Sequence, residues 1–263
     1  ILHGYQIYPA SEASNSRKTR IVTPDGRPWS GAQPKGMAYW ERLNEYLQIE
    51  PVKAEDRLFM AMLKPLGLEK GKPFKPSASQ ARALEDGAEI GELMAIANSF
   101  DKRFETAAYG GQWDRAVNVS MSQEAEFYSQ LDERASWFYE AVGLSEGMTT
   151  RTPGEGQVYL SSYRDAKGRW FDGGGTYRLH VPPDVPAGQW WSVALYDIET
   201  RCFMDTPYDK VEVGSRTDLT KNADGSVDLV FAPEPPKDSP ESNWIPTVPG
   251  RAWFTYFRLY GPL

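Results

Sequence analysis

The stretch Gly175–Val181, GTYRLHV, decides the fold. Tyr177, Leu179 and Val181 fall on one side of an extended chain and Arg178 and His180 on the other, the period-two pattern of a strand with one face in a core and one in water. The pattern returns in Ser226–Phe231, SVDLVF, where Val227, Leu229 and Phe231 alternate with Asp228 and Val230. Gln189–Asp197, QWWSVALYD, is apolar on both faces, which predicts a strand inside a sheet. Asp165–Gly168, DAKG, and Asn222–Gly225, NADG, read as turns between such runs. From Gln157 onward, about seven or eight short strands in roughly 110 residues predict an antiparallel β-sandwich of jelly-roll type.

Before residue 150 the apolar residues recur at helical spacing instead. Trp40, Leu43 and Leu47 share one helix face, and Pro51 ends that run. A second short helix carries Leu58, Phe59, Met62 and Leu63, and Pro65 and Gly67 stop it. A third opens with Ser77 and Gln80 at capping-box spacing and presents a narrow face of Leu84, Ala88, Gly91 and Ala95. A fourth carries Phe127, Leu131, Ala135, Phe138 and Val142 as an apolar stripe and ends at Gly143. The chain is therefore read as α+β. An irregular lead-in covers 1–33, a segment of about four helices covers 34–150, and the sandwich over 151–263 has the helices packed on it.

Composition removes several classes of function. The 263 residues carry a net charge of -7 with 40% hydrophobic and 25% charged residues, an ordinary globular balance that disfavours nucleic acid or an anionic membrane as partner. Arg17, Lys18, Thr19 and Arg20 form the one basic cluster and read as a solvated loop. No apolar run approaches the roughly 20 residues that cross a bilayer. Cys202 is the only cysteine, which excludes an intrachain disulfide. Because the sequence starts with Ile1, a processed or partial chain is expected.

The chemistry-bearing residues are few. With only His3 and His180, a zinc site is disfavoured and a catalytic triad has little to draw on. The motif G-x-S-x-G and the nucleotide-binding glycine motifs are absent, so no nucleotide cofactor is expected. Gly173–Gly175 instead reads as a bend that admits another strand. Asn222, Asp224, Ser226 and Asp228 alternate around Gly225 like the first half of a Ca²⁺ loop, but position twelve is Pro233. A turn held by its own side chains is the favoured reading. Asp165, Asp172, Asp197, Asp205 and Asp209 lie in or beside loops. A converging pair, with Asp172, Asp205 and His180 as candidates, would allow hydrolysis of a carbohydrate-like or small polar substrate.

The aromatic signal is stronger. Within AWFTYFRLY, residues 252–260, Trp253, Thr255, Phe257 and Leu259 face one way and Phe254, Tyr256, Arg258 and Tyr260 the other. The first set suits a core. The second suits a domain interface, a homo-oligomer contact or a ligand platform, with the interface favoured. Asn243 and Trp244, between prolines, are a candidate ligand pair at the sandwich end, although Trp244 as a plug and Asn243 as a turn cap is preferred.

Residues 169–197, 221–231 and 241–262 together resemble the bacterial family known as domain of unknown function 1214. WSGAQPKGMAYWERL, AMLKPLGLEKGKPFKP and QLDERASWFYEAVG resemble the helical segment that joins this domain to family 1254 in two-domain proteins. The resemblance implies a jelly-roll-like sandwich with helices packed on it, an envelope-associated, periplasmic or secreted location, an upstream 1254-type domain and a short acidic continuation past Leu263. It supplies no catalytic residues. The expected function is a non-catalytic small-molecule-binding or assembly module, with the Asp-based hydrolase as the alternative.

Overall fold

The computed structural model describes residues 6–15, 19, 26, 32–102, 107–108, 112–117, 119–120, 122–141 and 152–263. His3, Arg17, Lys18, Arg20, Val142 and Gly143 lie outside the described residues. Two compact units are formed, Ile1–Ser30 and Gly31–Leu263. In the first, Ala10–Asn15 is a 3-10 segment, and the Thr19 hydroxyl accepts a hydrogen bond from the Ile7 N–H at 2.8 Å.

The second unit contains, among the described residues, helices α1 (Met37–Ile49), α2 (Arg57–Leu63), α3 (Ala78–Phe100) and α4 (Leu131–Glu140). Its strands are β1 (Ala107–Ala108), β2 (Trp113–Arg115), β3 (Gln157–Ser162), β4 (Tyr177–Val181), β5 (Ala187–Asp197), β6 (Glu212–Gly214), β7 (Val227–Ala232), β8 (Trp244–Pro246) and β9 (Trp253–Pro262). A larger sheet runs β1-β2-β3-β9-β5-β6, and a smaller one runs β4-β7-β8.

The larger sheet is antiparallel throughout. The smaller is mixed, because β7 and β8 pair in parallel. That corrects the wholly antiparallel expectation, and the cause lies in the connection. Residues 233–243 contain Pro233, Pro235, Pro236 and Pro240, which block a tight hairpin, and a parallel partner requires such a crossover.

The strand alternation holds in β4, whereas β7 is buried on its second face too, where Val230 and Ala232 pack with Trp244. Val181, Leu229, Phe231 and Ile245 from the smaller sheet and Val193, Leu195, Val213 and Trp253 from the larger form one buried cluster. Interior strand β5 buries Val193, Ala194 and Leu195 in succession, since both of its faces are covered. On the opposite face of the larger sheet, Phe254, Tyr256 and Tyr163 pack with Phe100 of α3 and Trp137 of α4. The second face of β9 is thus covered by the chain's own helices.

The capping box forms as the sequence predicts: Ser77 accepts from the Gln80 N–H, and the Gln80 side chain accepts from the Ser77 N–H. α1 packs on α3 through Trp40, whose indole N–H donates to Leu84 O at 2.6 Å. The close approach falls at Gly87, 3.8 Å from Trp40 for an added Cβ, while Gly91 faces open space.

Two expected faces are corrected. α4 buries Glu133, Ser136, Trp137 and Glu140, whereas Phe127, Leu131 and Phe138 of the predicted stripe are 87%, 44% and 65% exposed. The sheet beneath offers tyrosine hydroxyls, and Lys102 just after α3 offers a cation, so the polar side of the helix fits there better. Leu58 and Met62 of α2 are likewise exposed. No helix is long and apolar enough to cross a membrane among the described residues.

Candidate functional site

The geometry assembles five of the sequence candidates into one cluster. The His180 Nδ1 lies 2.9 Å from Asp228 Oδ1, and the Asn222 amide donates to Asp228 Oδ2 at 3.0 Å and to the Ser226 hydroxyl at 2.9 Å. Ser226 N–H and hydroxyl both donate to Asp224 Oδ1. These oxygens are engaged with one another across the turn. Asp228 is held below the ordinary aspartate range by His180 and then Asn222, and Asp224 by both Ser226 bonds.

Asn243 and Trp244 are buried and committed internally. The Asn243 amide donates to Thr220 O and Asp228 O, and its oxygen accepts from Thr220 N–H and the Ser242 hydroxyl. The Trp244 indole N–H donates to Ala232 O at 2.8 Å. These bonds pin the loop before β7 to the strand after it.

Tyr256 and Arg258 lie on the helix-covered face. The Tyr256 hydroxyl donates to Glu140 Oε1 at 2.7 Å, as does that of Tyr163 at 2.7 Å. Lys102 Nζ donates to Tyr163 Oη at 2.9 Å and sits 3.4 Å from Glu140 Oε2, the two side chains being 4% and 0% exposed. Burial first, and then the Glu140 charge, pushes both tyrosine hydroxyls well above their ordinary value. Arg258 Nε donates to the Ser192 hydroxyl, and its guanidinium pairs with Glu212.

Asp197 takes the Arg251 guanidinium and Asp165 that of Arg169. Asp172 accepts from Gly174 N–H, and Asp205 is exposed.

A cleft of about 310 Å³ opens between the sheets where β2, β3 and β9 meet β4, β7 and the β3–β4 loop. Its apolar wall is Trp113, Phe171, Tyr177, Phe231 and Trp253, and its cations are Arg164, Lys167, Arg169 and Arg178 against the single carboxylate Asp165. Asp165 is held below its usual range, first by the Arg169 backbone N–H and then by the Arg169 side chain, so it offers no proton. Arg164 stacks on Trp170 at 3.9 Å and pairs with Asp101, and Arg178 reaches Asp238 only at 3.4 Å.

This loop stands where it does because of Gly173. A Cβ there would lie 1.9 Å from Val248 O, and the Gly173 N–H donates to Arg251 O at 2.9 Å, as the glycine run suggested. The cleft itself was missed. Its signal was the spacing of Arg164, Lys167 and Arg169 beside Trp170 and Phe171, read only as a polar turn.

No curated protein matches the chain. Among solved structures, the VPA0106 protein from Vibrio parahaemolyticus is 18% identical, with a TM-score of 0.40, covering 94% of this chain and 55% of that one. An uncharacterised protein from Burkholderia cenocepacia is 15% identical, with a TM-score of 0.31 and coverage of 82% and 47%. The chain thus spans about half the length of either structure. Residues 156–263 match the family model described as "Protein of unknown function (DUF1214)".

Proposed function

We propose that the sheet unit, which we read as a jelly-roll-like sandwich, is a non-catalytic module that binds a small anionic molecule with an apolar ring in the cleft. The observation that carries this reading is the combination of four cations and one committed carboxylate over an aromatic wall. Apolar walls with a few placed polar groups are how ligand sites are built. The cations give a carboxylate or similar anion its orientation. The hydrolase alternative gains no support, since the cleft carboxylate is tied to Arg169.

An assembly role is a second component of the proposal. Leu58, Met62, Leu93, Met94, Phe127 and Phe138 are each at least 60% exposed, a surface that favours docking of a 1254-type domain or a second copy. An envelope or secreted location rests on the family resemblance alone.

The test is thermal unfolding and calorimetric titration with 2-naphthoate and its neutral counterpart 2-naphthamide, with Ca²⁺ and chelator arms. At 100 times its Kd a ligand adds about 2.7 kcal/mol of stability. Preference for the carboxylate, lost in Lys167→Ala/Arg178→Ala, supports the reading. Equal or absent binding of the two probes rejects it.

A further inference from the structure

Among the residues that line the cleft, Trp253 combines complete burial with an unmet hydrogen-bonding need. It is 0% exposed. Phe171 stacks on its ring at 4.2 Å with a 9° interplanar angle, and Phe231 stacks at 4.8 Å and 24°. Tyr177 meets it edge-on at 5.4 Å. Its indole N–H nevertheless has no acceptor among the described residues. By contrast, Trp40 and Trp244 donate to the backbone oxygens of Leu84 and Ala232.

A buried donor without an acceptor opposes folding and is rare in native structures. Here the uncompensated group belongs to a residue that forms the wall of the cleft. Water does not reach the N–H as the side chains stand, so an acceptor arriving from the cleft requires a lining side chain such as Tyr177, which meets the indole edge-on, to turn aside.

We infer that Trp253 is the specificity-determining donor of this site, and that the ligand class is a planar ring bearing a carboxylate or carbonyl oxygen that accepts the Trp253 N–H. The ring lies against the aromatic wall, the rim cations hold the charge, and the acceptor oxygen reaches the indole edge. This rests on the proposed binding role of the cleft. It adds that an acceptor, and not only a charge, is required.

The experiment compares wild type with Trp253→Phe, which keeps an aromatic ring and deletes the donor. Both 2-naphthoate and 2-naphthamide carry an acceptor oxygen, and each should lose about five- to tenfold in affinity, the net effect of one hydrogen bond. The melting temperature should not fall by the amount a broken protein–protein bond would cost, because no partner is left behind. In the wild-type protein, the Trp253 indole proton resonance should move downfield on titration with 2-naphthoate, a readout that stands even where the variant fails to fold. An unmoved resonance, or affinity changed less than about twofold, overturns the inference. If wild type prefers 2-naphthoate to 2-naphthamide and only the Trp253→Phe effect is missing, the inference falls while the anion site stands. If neither probe binds wild type, both fall.

Discussion

Replacing Lys102 by Met should be among the most damaging single changes away from the main core. Lys102 and Glu140 are an ion pair with side chains 4% and 0% exposed. The Glu140 Oε1 is already used by Tyr163 and Tyr256, while among the described residues Oε2 accepts no hydrogen bond and has the ammonium 3.4 Å away. Removing the ammonium leaves a buried carboxylate charge uncompensated, which costs about 3–5 kcal/mol. At roughly 2–4 °C per kcal/mol for a unit of this size, the melting temperature should drop by about 6–20 °C. Glu140→Gln keeps an acceptor for both tyrosines and removes the charge, so the double variant Lys102→Met/Glu140→Gln should recover about half or more of the loss. Urea unfolding at pH 7, followed by tryptophan fluorescence and far-ultraviolet circular dichroism, measures each variant and checks that the transitions coincide. A cost for Lys102→Met below about 1 kcal/mol, or no rescue by Glu140→Gln, would refute the picture of a charged pair stapling α3 and α4 to the sheet.

Alkaline pH should destabilise the fold through the same cluster. Tyr163 and Tyr256 keep their protons well above the ordinary value of 10.0, so above it the unfolded chain binds fewer protons than the native one. Stability should hold below pH 10 and then fall by about 1.4 kcal/mol per pH unit for each such tyrosine, a slope that Tyr163→Phe should shrink and that a flat urea midpoint would deny. Gly173→Ala should cost about 4 kcal/mol or prevent folding, because a Cβ would meet Val248 O at 1.9 Å, whereas Gly174→Ala meets only Asp172 Oδ1 at 3.3 Å. Equal melting temperatures for the two variants would show that the turn yields.

The strands were legible because a period of two is imposed by the pleat itself. Tyr177, Leu179 and Val181, and the two faces of β9, all lie as their spacing implies. The mixed sheet was not legible, since pairing direction is set by where the Pro233–Pro240 connection leads and not by any residue within β8. The strand Trp113–Arg115 was missed for another reason: three residues are too few to show a period, and its place comes from pairing with β3.

α4 shows the limit of periodicity more sharply. Its apolar stripe is real, but a stripe reports only that a face is apolar and says nothing of what covers it. The sheet face opposite α4 presents Tyr163 and Tyr256, and each hydroxyl must find an acceptor once buried. Glu140 supplies that acceptor for both, and Lys102 supplies the balancing charge. The polar face of α4 therefore goes inward, and Leu131 and Phe138 are left outside. Tyr256 belonged to a face expected to meet another domain, a second copy or a ligand, and the chain's own helices cover it instead. The cleft escaped notice by the same logic in reverse. Asp165 looked like a free acid in a loop, and only the fold shows it spent on Arg169, beside Arg164 and Arg178, which reach Asp101 and Asp238.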